Sequence, residues 1–191
     1  MKKNSWAFLI SLWGRSAFHA LESYEKGLID SNNSIDLLIY EKEPSCAVDK
    51  ARDMGIKTLQ MVRLDGESRN DYQRRIILEL KKHHIDYVFL LGFNHIIRKE
   101  MLQEYPNKII NVHPSILPSF KGINAIYQAL DYGVKISGVT THIIDDKIDE
   151  GVILFQESIA IKKGDDFETL DPIFVEVGKK LIVDTINFFS E

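Results

Sequence analysis

A single cysteine, Cys46, in 191 residues leaves no partner for an intramolecular disulfide. It also rules out a zinc site built from cysteines alone, and it suits a reducing compartment. Long apolar runs are missing: the longest uninterrupted one, Tyr87 to Phe93, falls far short of the ~20 residues a membrane span needs. A secretory leader is not expected, because the apolar run Trp6 to Leu12 follows two lysines but has no small-residue cleavage site, and Gly14-Arg15 interrupts it. Charge of one sign is missing too. The 24 Lys+Arg against 28 Asp+Glu leave a net charge of −4, which argues against a nucleic-acid surface driven by bulk charge and allows a local basic pocket for one small anion. What is present is ordinary for a globular chain, 45% hydrophobic and 27% charged, enough to build a core without staples. No repeat, low-complexity tract or linker interrupts it. One domain over 1–191 and a cytoplasmic location are the expectations.

Hydrophobic periodicity orders the elements. Trp6 to Ile10 reads as a buried strand, Ser16 to Lys26 as a helix, Ile35 to Tyr40 as a second strand, and Ser45 to Met54 as a helix closed by Gly55. A short strand at Lys57 to Met61 precedes a long amphipathic helix, Ser68 to His84, with Tyr72, Ile76, Leu78 and Leu80 on its apolar side. Ile85 to Leu91 reads as a strand, apolar throughout but for Asp86 near its start, as a strand covered on both faces is. A short helix from Arg98 to Glu104 precedes the strand Lys108 to His113. After a helix at Asn124 to Tyr132, the runs Lys135 to Ile144 and Val152 to Ile161 read as a hairpin, and Phe167 to Phe189 as a terminal helix. Strand–helix alternation predicts an α/β open sheet, mostly parallel and twisted, with the hairpin added to it and a long final helix. Ligands in such sheets bind beyond the carboxyl ends of the strands.

Three features lie at those ends. Asn111 and His113 are two apart on a strand and project to one face. The pair suits a developing oxyanion with an imidazole to relay a proton; equally, the amide caps backbone and His113 is a satisfied edge histidine. The turn 145–151, Asp-Asp-Lys-Ile-Asp-Glu-Gly, carries four carboxylates, and Gly151 allows positive φ. It reads either as a solvated turn or as the source of an inward carboxylate, Asp149, that favours the cationic form of His113. It lacks the ligand alternation of a calcium loop, and no metal is expected. Third, Leu12-Trp13-Gly14-Arg15-Ser16 is a strand-to-helix turn of the kind that binds phosphate, or a plain turn with one glycine.

Taken together, the stretch Asn111 to Gly122, Gln128-Ala-Leu, Gly133, Gly138-Val-Thr-Thr-His142, Asp149-Glu-Gly151, Gln156 and Gly164-Asp165, with Gly92-Phe93, Ala51-Arg52 and Gly55-Ile56 before it, resembles the folate-dependent formyltransferases. The likeness is nearest to members that act on glycinamide ribonucleotide. It implies a Rossmann-like amino-terminal half, 10-formyltetrahydrofolate as formyl donor and an amine acceptor, phosphorylated in those members. By position, Asn111, His113 and Asp149 match the family's catalytic trio. Gly92, Phe93, Ile96, Ile97, Ile144 and the turn from Asp145 to Asp149 match the folate enclosure. Gly14, Arg15, Ser16 and Arg69 match phosphate contacts.

The chain departs from that pattern on the acceptor side. The family's Gly-x-Gly-Ser-Asn turn is Leu12-Trp13-Gly14-Arg15-Ser16 here, an arginine after Gly-Phe is His95, and a ribose-contacting glutamate is Gly178. Phosphoribosylglycinamide, the amino group of a nucleotide-linked sugar, and folate binding without catalysis are the three readings that follow.

Overall fold

The computed structural model describes residues 3–190. Strand β1 (Asn4–Ile10) is followed by α1 (Arg15–Glu25), β2 (Asn33–Tyr40), α2 (Cys46–Asp53), β3 (Lys57–Gln60), α3 (Arg69–Lys82) and β4 (Tyr87–Leu90). Then come α4 (Lys99–Glu104), β5 (Ile109–His113), α5 (Ala125–Tyr132), β6 (Ile136–Ile143), β7 (Ile153–Ala160) and α6 (Phe167–Phe188). The strands form one seven-stranded sheet in the order β3-β2-β1-β4-β5-β6-β7. β1 to β5 pair in parallel, β6 pairs antiparallel with β5, and β7 pairs antiparallel with β6. The expected mostly parallel sheet with an added hairpin and a long last helix is what forms.

Alternation along β1 explains the layering. Trp6, Phe8 and Ile10 pack with Ala17, Leu21, Val48 and Ile186 on one face, while Ala7 and Leu9 pack with Tyr72, Ile76 and Met101 on the other. Successive side chains of a strand point to opposite faces, so α1, α2 and α6 cover one side and α3 and α4 the other. Gly55 ends α2 as its position suggests: at φ 72° it lets the Ile56 N–H reach back to the Ala51 carbonyl at 2.8 Å.

Two expectations need correction. Leu78 is exposed, and Ile77 takes its place in the core beside Tyr72, Ile76 and Leu80. At about 100° per residue, 78 lies far round the helix from the 72–76–80 stripe while 77 flanks it. In the acidic turn the left-handed residue is Asp149, at φ 52°, and not Gly151. Aspartate tolerates that region better than most side chains.

Candidate active site

β1 and β4 are neighbours, but the chain reaches β4 only after running outward through β2 and β3. That reversal opens a crevice at their carboxyl ends. The Ser11 N–H donates to the Gly92 carbonyl (3.0 Å) and the Ser11 hydroxyl accepts from the Asn94 N–H (2.8 Å), which ties the two strand exits together.

On β5, Ile109 belongs to the α3/α4 face and Ile110 to the α1/α6 face, so Asn111 and His113 share the first and Val112 the second. Register sets Asn111 opposite His142 on β6 and His113 opposite Thr140. The turn between β6 and β7 then brings Asp149 over both histidines. Asp149 Oδ2 lies 3.5 Å from His113 Nδ1, and its Oδ1 lies 3.5 Å from His142 Nε2. His142 Nε2 is also 3.3 Å from the Asn111 amide nitrogen. The Gly122 N–H donates to Asp149 Oδ2 at 2.8 Å, and His113 Nε2 donates to the Phe120 carbonyl at 2.8 Å. A carbonyl only accepts, so Nε2 of His113 carries a proton, and its Nδ1 is the nitrogen turned toward Asp149. His113 and His142 are buried. His142 Nδ1 has no hydrogen-bond partner among the described residues.

Burial alone would raise the Asp149 pKa. The contact with His142, the Gly122 N–H and the nearby His113 outweigh it and hold the carboxyl below its ordinary value. The sign of the pH effect follows. A carboxyl with a depressed folded pKa adds stability that is present above its unfolded value, ~3.9, and is lost as pH falls through the folded value. Asp149→Asn should therefore melt below the parent at neutral pH, and the gap in Tm should close in acid below pH ~4. A gap that is constant from pH 7 to pH 3 would show that the carboxylate's charge is not what Asp149 contributes.

Of the expected donor-side residues, Phe93, Ile97 and Ile144 pack together on the α3/α4 face. Gly92 follows β4 at φ 87°. Ile96 and Asp145 are exposed. His142 received no role from sequence spacing, although its position across a strand pair from Asn111 is the signal that register supplies.

On the opposite face a cavity of about 380 Å³ opens between α1, α5 and α6, against Gly92, Val112 and Pro114. Arg15 and Ser16 line it; Arg69 does not. Arg69 begins α3, on the other side of the sheet, and Ser68 already caps that helix by accepting from the Asp71 N–H. The first turn of α3 is therefore neither open nor free of acid. α1 differs: it starts at Gly14 (φ 69°) with no side-chain cap and no acidic residue in its first turn. A Cβ at Gly14 would lie 2.7 Å from both Ala47 Cβ and Ile10 Cδ1, so glycine is required there by closeness as well as by φ. Arg15 forms a two-pronged ion pair with Asp171 of α6, 2.6 Å at each contact. Gly178 faces the cavity, and an added Cβ would meet nothing within 4 Å.

Among known proteins, the chain is 37% identical over 169 residues to the trifunctional purine biosynthetic protein adenosine-3 of Homo sapiens. That match takes in 88% of this chain and 16% of the human protein, so the chain spans about one sixth of that relative's length. It is 35% identical over 138 residues to phosphoribosylglycinamide formyltransferase of Bacillus subtilis, 72% of this chain and 71% of that one. The crystal structure of glycinamide ribonucleotide transformylase 1 from Symbiobacterium toebii superposes with a TM-score of 0.91 at 29% identity, covering 98% of this chain and 88% of the other. Among the described residues no helix is long and apolar enough to cross a membrane. The formyl transferase family model matches residues 5–186, a span that carries the cavity, the apolar wall behind β5 and the four polar side chains between them, and this chain therefore belongs to the formyl transferase family.

Proposed function

We propose that this protein transfers a formyl group from 10-formyltetrahydrofolate to the amine of phosphoribosylglycinamide, a step of purine biosynthesis carried out in the cytoplasm by one domain. The observation that carries this reading is the convergence of Asn111, His113, His142 and Asp149, with the Asp149 carboxylate between two imidazoles at 3.5 Å from each. The name of the Bacillus subtilis relative supports the same acceptor, and that of the human relative supports purine biosynthesis.

The donor's pteridine lies against Phe93, Ile97 and Ile144, with Gly92, Ile96 and the turn from Asp145 to Asp149 at its edge. The acceptor lies in the cavity with its phosphate toward Gly14, Arg15 and Ser16, where uncapped amides at the start of α1 favour an anion. The amine nitrogen attacks the formyl carbon, and the carbonyl oxygen takes up negative charge. The Asn111 amide donates to that oxyanion. His113, with one nitrogen given to the Phe120 carbonyl and the other facing Asp149, contributes positive charge. Asp149 is ionised and moves the proton from the attacking amine toward the leaving folate nitrogen. The bond between that nitrogen and the formyl carbon then breaks as the new amide is kept.

A second reading, transfer to the amino group of a nucleotide-linked sugar, is favoured by the open space beside Gly178. One measurement separates the two. Purified protein is given 10-formyltetrahydrofolate with each acceptor in turn, and loss of donor is followed by absorbance. Donor consumption with phosphoribosylglycinamide and not with amino sugars is the expected result; consumption with amino sugars alone overturns it, and so does no consumption with any acceptor.

A further inference from the structure

Asp171 is the only carboxylate among the described residues that line the acceptor cavity. It sits on α6, 156 residues from Arg15 in sequence, and takes both ends of that guanidinium. The two partners are unequally placed. The Arg15 side chain is 55% exposed and Asp171 only 17%, so the arginine is free to swing into solvent or toward a ligand while the carboxylate stays where it is. The two-pronged geometry makes this more than a loose surface pair, yet its solvated arginine end leaves it open to exchange with a stronger anion. A phosphomonoester offers the same planar fork more negative charge, and it gains the uncapped amides at the start of α1 besides.

We infer that Asp171 is a specificity-determining residue that competes with the acceptor's phosphate for Arg15. This rests on the reading of the cavity as a phosphorylated-acceptor site. The geometry makes the competition direct for the end-on fork: Asp171 occupies Nη1 and Nη2 together, so a phosphate must displace it to take that fork and otherwise has only the side-on Nε–H and outer N–H donors. When a phosphate arrives, Arg15 turns to it, and the half-buried Asp171 carboxylate is left behind as a negative charge in the same cavity. Asp171 therefore opposes phosphate twice, by occupying the arginine and by repelling the anion. The other basic groups on the wall offset this only in part. Lys179 lines the cavity and makes no ion pair among the described residues, whereas His19 is already engaged by Glu22 at 3.1 Å. Such a site selects acceptors whose phosphate is a full dianion and discriminates against singly charged or neutral analogues that cannot pull Arg15 away.

The probes are ribose 5-phosphate and ribose, titrated calorimetrically into the parent, Asp171→Asn and Arg15→Ala/Asp171→Asn, alongside the KM for phosphoribosylglycinamide. Asp171→Asn should tighten ribose 5-phosphate about tenfold, the effect of removing one nearby like charge at a partly exposed site. It should lower the acceptor KM by a similar factor, and it should leave ribose binding where it was. The double variant should lose that gain, because the competition runs through Arg15. A role confined to tying α1 to α6 predicts the opposite: ribose and ribose 5-phosphate weakened together, with the double variant no worse than the single. Ribose 5-phosphate binding that is weakened, unchanged or undetectable in Asp171→Asn overturns the inference. Tighter ribose 5-phosphate with no turnover of phosphoribosylglycinamide by any variant supports the competition and refutes the acceptor assigned above. Turnover of phosphoribosylglycinamide with no tightening does the reverse.

Discussion

Replacing Asp149 by asparagine lowers turnover by about 10²-fold or more, the scale on which a positioned proton-transfer group contributes. Both carboxylate oxygens are engaged. Oδ2 accepts from the Gly122 N–H and faces His113, and Oδ1 faces His142. An asparagine of the same shape keeps one acceptor and puts an N–H₂ group where the other was. One histidine then meets a donor instead of a negative charge, and no carboxylate remains there to take the amine's proton. Donor affinity should fall much less, because the wall proposed for the pteridine is Phe93, Ile97 and Ile144, none of which depends on that charge. The measurement is kcat at saturating donor and acceptor, set beside donor Kd from an equilibrium titration. Near-parent kcat would remove Asp149 from the proposed mechanism, and a loss confined to donor Kd would make it a binding residue.

How much of this was open to sequence reading divides along a physical line. Local chemistry carried far. The continuous apolar runs of β1 and β4, the glycine that closes α2 and the two-residue spacing of Asn111 and His113 are each decided by neighbours within a few residues, and all appear where spacing puts them. Membership of the family was legible for the same reason, since its motifs are short and ordered. What spacing could not supply is pairing between distant segments. His142 stands with Asn111 because β6 docks antiparallel on β5 with one particular register, and a register shifted by one residue would turn it to the other face. Arg15 matched a phosphate contact by position, and its pairing with Asp171 depends on how α6 docks against α1. Arg69 read as its neighbour in a phosphate site, yet the two helices start on opposite sides of the sheet, a fact fixed by which face each crossover takes. Leu78 failed for a smaller reason, one step of 100° around a helix whose apolar stripe is narrow.

The second large effect falls on the turn that carries Asp149. Gly151 does not need its freedom of φ; it needs its lack of a side chain. A Cβ there would stand 1.8 Å from the Ile143 carbonyl oxygen and 3.2 Å from Ile144 Cα. Those are backbone atoms that no rotamer change can move aside. The same backbone is committed, because the Ile143 N–H donates to the Val152 carbonyl at 2.8 Å and the Ile144 N–H to the Ile109 carbonyl at 3.0 Å. Gly151→Ala must therefore push the turn away from β6 or break that ladder. Overpacking of this kind costs about 3 kcal/mol, the upper part of its usual range. In a chain of this length that lowers Tm by roughly 6–12 °C. Asp149 is two residues away and its oxygens sit at contact limits with two histidines, so turnover should fall as well, even at temperatures where the variant stays folded. Gly178→Ala is the matching control for stability: it lies in the middle of α6 with nothing within 4 Å of the added Cβ, and a helix interior gains up to about 1 kcal/mol from that exchange. Differential scanning calorimetry of the two variants decides the matter. A Gly151→Ala protein that melts within about 2 °C of the parent would mean the turn can relax at no cost, and that the position of Asp149 is held by its hydrogen bond to Gly122 and not by the close approach of Gly151 to β6.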